Sequence, residues 1–127
     1  MTDESLTLPP GFQVKRVYEA PERDDGYRVL VDRLWPRGVA KAAARIDEWA
    51  KDITPSTELR RWFHENPDGR RAEFAQRYRD ELSGPAAREI LAGLRERAGA
   101  SPPVTLVTAV KEPGHSHVPV LVERLRG

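Results

Sequence analysis

The segment "VTLVTAV", residues 104–110, carries no charge, and its only polar residues are Thr105 and Thr108. A strand with one face in water alternates apolar and polar residues, whereas a strand covered on both faces is apolar almost throughout. This segment therefore predicts the central strand of a sheet that is covered on both faces. Such sheets are typical of α/β domains, in which most strands run parallel.

Two segments nearer the N-terminus also have the composition of strands. "FQVKRVYEA", from Phe12, alternates apolar and polar residues, and "YRVLVDRLW", from Tyr27, is rich in Tyr, Val and Leu. The link "PERDDG", residues 21–26, is too short for a helical crossover, so these two strands either pair antiparallel or are not neighbours. The three segments predict a single small α/β domain with a short sheet, mostly parallel or mixed, flanked by helices.

Most of the sequence between these strands predicts helices. Residues 40–53 begin with "AKAAAR" and favour a helix, with an extended piece at "RIDEW" as the alternative. Thr54 followed by Pro55 is the pattern of an N-cap and a first turn, and a third helix follows "NPDG". A fourth helix begins at Ser83 and is predicted to stop at Gly99.

Length and composition limit the class of protein. The 127 residues suit one domain, and the polar start that ends in "PPG" predicts a flexible leader at 1–11 before a single domain at 12–127. The 21 basic and 20 acidic residues nearly cancel, so no strong field favours nucleic acid or a membrane surface. The chain has no cysteine, no signal-peptide pattern and no apolar run of about 20 residues. We therefore expect a cytoplasmic protein without disulfides or thiol catalysis.

Polar side chains cluster after two of the predicted strands. "DRLWPRG", residues 32–38, follows the strand from Tyr27, and "KEPGHSH", residues 111–117, follows the central strand. In open α/β sheets, ligands bind outside the carboxyl ends of the strands, where such loops meet. If the two strands are parallel and close together, the two polar groups converge on one crevice.

The residue types at this crevice suit an anion. Arg33 and Arg37 have planar guanidinium groups that fit phosphate or carboxylate, and Lys111 adds a point charge. Ser116 is predicted as the N-cap of a last short helix with Pro119 in its first turn, and the free N–H groups there attract an anion. The predicted ligand-binding residues are Asp32, Arg33, Arg37, Lys111, Ser116 and His117, with Lys51 and Ser56 as candidates for contacts further from the ligand.

Several of these polar residues also have purely structural interpretations. Asp32 can neutralise one of the two arginines, while Trp35 packs in the core at the end of its strand. The polar side chains of the second predicted helix, Arg60 and His64 among them, are assigned to a solvated face.

The two C-terminal histidines also allow a metal site. His115 and His117, completed by Asp32 or Glu112, offer common ligands, but their spacing does not fix a third one. A metal-binding protein or metal-dependent enzyme is therefore the first alternative function. An adaptor that binds nucleic acid or protein through its arginine-rich helices is the second. No cofactor is assigned, and whether the domain is an enzyme is left open.

Three motifs in order resemble one known bacterial family. "VLVDRLWPRG" (29–38), "WAKDITPSTELRRWF" (49–63) and "TLVTAVKEPGHSHVPVLVERL" (105–125) are similar to those of the YeaO-like branch of the domain-of-unknown-function 488 family. The resemblance covers most of residues 13–125 and implies an α/β fold with a sheet between helices. It implies no particular activity.

The wider family is similar at the same two strand ends, with a "VDVR-FPRS"-like segment at 32–38 and "LLCAEK" followed by "CHR" near the C-terminus. On this chain the lysine of that second motif falls at Lys111 and the histidine at His117. Its cysteines fall at Thr108 and Ser116 and its arginine at Val118, so any thiol chemistry in relatives is absent here. The departure favours binding of a small phosphate- or carboxylate-bearing ligand, such as a nucleotide, or chemistry run by charge and imidazole.

Overall fold

The computed structural model describes residues 7–126, and in this range the chain forms one four-stranded sheet and five α-helices. The strands are β1 (Phe12–Arg16), β2 (Tyr27–Leu30), β3 (Glu48–Trp49) and β4 (Val104–Thr108). The helices are α1 (Lys41–Ala44), α2 (Thr57–Glu65), α3 (Arg71–Glu81), α4 (Pro85–Ala100) and α5 (Val118–Arg126). All neighbouring strands are parallel, in the order β1-β4-β2-β3, which confirms the predicted α/β domain. None of the helices in this range is both long and apolar enough to span a membrane.

β4 is an inner strand, as "VTLVTAV" predicts. All five of its residues are buried, and it pairs with β1 on one side and with β2 on the other. β1 and β2 are therefore parallel and separated by β4, so the antiparallel alternative is wrong and the alternative that they are not neighbours is confirmed. The link between them returns the chain across one face of the sheet as an irregular segment with one 3-10 turn at Arg23–Asp25. Such a segment needs fewer residues than a helical crossover.

Helices α2 to α5 cover one face of the sheet, and irregular chain together with the single turn of α1 covers the other. Val29 and Leu106 belong to the main core, which they share with apolar side chains of α2 to α5. Val107 points to the opposite face, because successive side chains of a strand alternate. There it packs with Val17 from the link and Ala44 from α1.

A buried ion pair holds the link between β1 and β2 on the sheet. The Asp25 carboxylate lies 2.5 Å from Arg28 Nη1 and 3.1 Å from Lys15 Nζ. The backbone carbonyl of Asp25 accepts a hydrogen bond of 2.5 Å from Thr105 Oγ1. The Arg28 guanidinium also donates to the carbonyl of Ala44, at the end of α1. Asp25 therefore contacts residues of β1, β2 and β4.

The helix predicted over 40–53 ends at Ala44, so that prediction is wrong beyond α1, and the alternative of an extended piece is confirmed at β3. Arg45 adopts a left-handed conformation, with φ of 49°, which ends the helix. The Trp49 ring of β3 packs edge-on against Trp35, with centroids 5.4 Å apart. Pairing with β2 and this aromatic contact outweigh local helix propensity.

Two helix ends differ from the prediction. The Thr54 hydroxyl donates to the carbonyl of Lys51 at 2.6 Å and closes a 3-10 turn, so Thr54 is not the N-cap of α2. Ser56 takes that position and accepts a hydrogen bond of 3.1 Å from the amide of Leu59. α4 continues past Gly99 to its last residue, Ala100.

The outer edge of β1 is occupied at both ends. The amide of Phe12 donates to the carbonyl of Pro9 at 3.3 Å, and the amide of Arg16 donates to the Glu19 carboxylate at 2.7 Å. Leu8 already packs against the main core. Residues 1–6 of the predicted leader lie outside the described residues.

Candidate functional site

A cleft of about 650 Å³ opens at the carboxyl ends of β2 and β4. Because these strands are parallel neighbours, the loops that follow them meet there. The predicted site residues that line the cleft are Asp32, Arg33, Arg37, Lys111, Ser116 and His117, together with Glu112 and His115. α2 and α3 contribute Arg60, Phe63, His64 and Phe74 to its wall.

Asp32 joins the two loops. Its carboxylate accepts hydrogen bonds from Thr108 Oγ1 at 2.6 Å and from the amide of Ala109 at 2.7 Å. Within residues 7–126 it forms no ion pair with Arg33 or Arg37, so the interpretation in which Asp32 neutralises an arginine is wrong. The Asp32 carboxylate accepts its hydrogen bonds from β4 and the residue that follows it. Arg33 and Arg37 have no carboxylate partner within residues 7–126.

His117 is a neutral imidazole that is fixed by the backbone. Its Nε2 lies 2.6 Å from the carbonyl oxygen of Val31, which can only accept, so Nε2 carries the proton. Burial lowers the pKa of His117 below its ordinary value of 6.5; the Asp32 carboxylate and the Val31 carbonyl oppose that shift, and Arg60 adds to it. The ring therefore offers Nδ1, not Nε2, as its free acceptor at neutral pH.

We expect the His117 ring to titrate below pH 6.5 in the folded protein. Because the unfolded chain then binds the proton more readily, this histidine reduces stability as the pH falls below 6.5. An NMR titration of the imidazole signals measures the midpoint, the ring nitrogen shifts report the tautomer, and a His117→Gln variant assigns the signal. A midpoint at or above the ordinary value would contradict the burial of this ring.

Four cationic side chains converge on the cleft from three segments. Arg33 is held in place by its Nε, which donates to the carbonyl of Pro55 at 3.3 Å. Arg37 and Lys111 are exposed and have no carboxylate within 4.0 Å in the described part of the chain. Arg60 completes the group from α2.

Much of the remaining wall is apolar and aromatic. The rings of Phe63 and Phe74 lie with centroids 4.4 Å apart. Trp35 has the structural role predicted for it, since its Nε1 donates to the carbonyl of Val39 at 2.7 Å, yet the residue also lines the cleft. Leu34 is 64% exposed there, which is unusual for a large apolar side chain. The cleft thus offers cationic groups beside an apolar surface.

The sequence analysis assigns Arg60 and His64 to a solvated helix face, whereas in the structure both residues line the cleft. The available signal was helical spacing. Arg60 and His64 are one turn apart and share their face of α2 with Phe63, and a face that combines a large aromatic with cationic groups suits a ligand as well as water.

Lys51 and Ser56 do not line the cleft. The Lys51 ammonium lies 3.9 Å from the centre of the Trp49 ring. The Ser56 hydroxyl and amide donate to the Glu81 carboxylate at 2.6 and 2.8 Å. Both residues make structural contacts, and Ser56 does so with a partner 25 residues away that no local pattern indicates.

Ser116 is not the N-cap of the last helix, because His117 holds that position and the carbonyl of His117 accepts from the amide of Leu121. α5 begins at Val118, which confirms a short helix with Pro119 in its first turn. The Ser116 hydroxyl accepts from the amide of Val118 at 3.1 Å and donates to the carbonyl of Pro113 at 2.7 Å. Because Ser116 takes this amide and Pro119 has none, the helix end presents fewer free N–H groups than predicted.

No three His, Cys, Asp or Glu side chains within residues 7–126 lie close enough together to hold a metal ion. His117 donates its Nε2 proton to the backbone, and the Asp32 carboxylate is bonded to β4. The metal alternative therefore lacks a ligand set in this range.

Comparison with protein families identifies the chain. The family described as the inactive DUF488-N3 subclade matches residues 11–127. The chain belongs to this subclade. An uncharacterized protein from Mycobacterium tuberculosis is 50% identical over 115 residues, which cover 91% of this chain and 93% of the relative. The uncharacterized protein YeaO of Escherichia coli is 43% identical over 116 residues, which cover 91% and 96%, so the predicted YeaO-like resemblance is confirmed. No solved structure was found to match the chain.

The cysteines of the wider DUF488 family fall at Thr108 and Ser116, and both residues have structural roles in this chain. The Thr108 hydroxyl donates to Asp32, and the Ser116 hydroxyl bonds both the start of α5 and the turn before it. Neither hydroxyl is hydrogen-bonded to His117, whose Nε2 bonds the carbonyl of Val31.

Proposed function

We propose that the cleft binds a small phosphate- or carboxylate-bearing ligand, such as a nucleotide, without converting it chemically. The observation that carries this proposal is the convergence of Arg33, Arg37, Arg60 and Lys111 beside an apolar wall. Only Asp32 and Glu112 oppose them among the lining residues, and Asp32 is used internally. The guanidinium and ammonium groups suit the anionic part of a ligand, and the aromatic wall suits a base or another flat apolar part.

Two features support binding over catalysis. The Nε2 proton of His117 is committed to Val31, and the hydroxyls of Thr108 and Ser116 are committed to the backbone or to Asp32. The description of the family as an inactive subclade agrees with this arrangement.

Adenosine monophosphate is expected to raise the melting temperature at low salt. A ligand that binds only the folded state at about 100 times its Kd stabilises it by about 2.7 kcal/mol, which is roughly 10 °C for a domain of this size. Inorganic phosphate and sulfate should give smaller shifts, and sodium chloride should weaken all of them by screening. Differential scanning fluorimetry measures these shifts.

Two adjacent arginines on α2 provide the matched variants for this test. Arg60 lines the cleft, whereas Arg61 is exposed outside it. Arg60→Ala and Arg37→Ala should each weaken nucleotide binding about tenfold, the effect of one lost hydrogen bond to a charged group, and Arg61→Ala should leave it unchanged. Arg37→Lys should restore only part of the affinity, because an ammonium lacks the planar fork.

Two other results would replace this proposal. If divalent metal ions raise the melting temperature, nucleotides do not, and His117→Ala removes the effect, the protein binds a metal. If a polynucleotide binds with a steep dependence on salt while the mononucleotide does not bind, the protein is a nucleic-acid adaptor.

A further inference from the structure

A second concavity lies away from the cleft, between α4, α5 and the turn at 82–84 that precedes α4. This α4–α5 hollow has a volume of about 730 Å³. Leu82, Leu91 and Ala92 give it apolar surface. Its charged residues are Arg88, Glu89, Arg95 and Arg124.

The arginines of the α4–α5 hollow have no acidic partners. Within residues 7–126, none of Arg88, Arg95 and Arg124 has a carboxylate within 4.0 Å. Nearby Arg79 differs, because it donates two hydrogen bonds to the Glu123 carboxylate. Glu89 is the single carboxylate among the lining residues. Three like charges thus share one concave surface with a single carboxylate, which forms no ion pair with any of them within the described residues.

Arg124 is held in place by the chain in the wall of the hollow. Its Nε is buried and has no hydrogen-bond partner, the one such side-chain nitrogen or oxygen in the described residues. Its Nη2 is already used, donating to the carbonyl of Arg79 at 3.2 Å and to Ser83 Oγ at 3.3 Å. Arg95 Nη1 donates to the carbonyl of Arg124 at 3.0 Å, which holds the two arginines together. The bonds from Nη2 fix the Arg124 guanidinium in the wall of the hollow.

The start of α4 adds to the positive character of the α4–α5 hollow. This helix has 16 residues, and its N-cap, Gly84, has no side chain to satisfy the first amides. Pro85, the first helical residue, lines the hollow. The first turn of α4 therefore brings the positive end of the helix dipole to the hollow.

We infer that the α4–α5 hollow is a second binding site, which takes a phosphate monoester with an apolar substituent. The guanidinium groups of Arg88, Arg95 and Arg124 would surround the phosphate, and the leucine surface would contact the substituent. A small ligand is favoured over a polynucleotide because the site is one bounded concavity on a chain with a net charge of +1.

An NMR titration with phenyl phosphate tests this inference on the intact chain. The amide signals of Ala86, Ala87 and Ala92 should shift and saturate, and inorganic phosphate should bind the same amides more weakly because it lacks the ring. Signals at Ala109 and Lys111 report the cleft separately, so loss of one site does not imply loss of the other. If the amides at the start of α4 do not move, the inference is overturned.

Two neighbouring residues on α4 give variants with opposite expected effects. Arg88→Ala should weaken phenyl phosphate binding at the hollow about tenfold, and Glu89→Gln should strengthen it, because the opposing carboxylate is removed. Arg37→Ala, in the cleft, should leave binding at the hollow unchanged. An affinity insensitive to both α4 variants would overturn the inference. Arg88-dependent sedimentation with phosphatidic acid vesicles, without binding of phenyl phosphate, would also overturn it and indicate a membrane surface.

Discussion

Asp25→Asn is expected to lower the free energy of unfolding by about 3–5 kcal/mol, the effect of leaving one member of a buried ion pair without its partner. Arg28 would keep its charge while only 3% exposed, and the asparagine could not offset it. The link between β1 and β2 would also lose the attraction of Lys15. Urea denaturation followed by circular dichroism measures the change.

Asp24→Asn is the matched control for this variant. Asp24 precedes Asp25 in the same 3-10 turn, is exposed, and forms no ion pair within the described residues. Its substitution should change stability by less than about 0.5 kcal/mol. Equal losses in the two variants would contradict the role of the ion pair.

The same carboxylate predicts a loss of stability in acid. Burial by itself raises the pKa of Asp25, but the hydrogen bonds from the Glu22 amide, Lys15 and Arg28 bring it below its ordinary value of 3.8. A carboxylate with a depressed folded-state pKa stabilises the fold above its ordinary pKa, and the stabilisation is lost as the pH falls through the lower value. The native chain should therefore lose stability below about pH 4, and Asp25→Asn should lack that component.

Asp32→Ala is expected to lower the free energy of unfolding by about 3 kcal/mol, because the Thr108 hydroxyl and the Ala109 amide both lose their acceptor. Asp32→Asn should lose less. Its amide keeps one acceptor oxygen for Ala109, and the Thr108 hydroxyl can reverse its role and accept from the new NH₂ group. Chemical denaturation of the two variants measures the difference.

A second readout separates the charge of Asp32 from its hydrogen bonds. The Asp32 carboxylate raises the pKa of His117 against the larger effect of burial, so both variants should lower the midpoint of the His117 titration further. An unchanged midpoint in Asp32→Asn would show that the two groups do not interact across their 3.9 Å separation.

The sequence predicts the parts of this fold that depend on composition and local spacing. The apolar run at 104–110 identified the inner strand, and the rule that ligands bind at the carboxyl ends of parallel strands brought Asp32 and Lys111 to one cleft. β3 could not be predicted in this way, because it consists of two residues, Glu48 and Trp49, and forms by pairing with β2. The helical spacing of apolar residues over 40–53 carries no information about this pairing between strands.

The partners of individual side chains explain the errors at the candidate site. Ser56 is bonded to Glu81, which is 25 residues away, and Lys51 lies over Trp49, so neither lines the cleft. Arg60 lines the cleft because it shares a face of α2 with Phe63 and His64, and helical spacing alone does not show whether a ligand or water meets that face.

The blocked edge of β1 also bears on self-association. A second copy that extended the sheet through this edge would need a continuous row of free backbone groups. Pro9 and Glu19 already occupy the two ends of a five-residue strand, and the opposite edge, β3, has two residues. Neither edge strand offers enough free backbone N–H and C=O groups for strand addition. The folded chain should therefore resist edge-to-edge aggregation and domain-swapped sheets at high concentration.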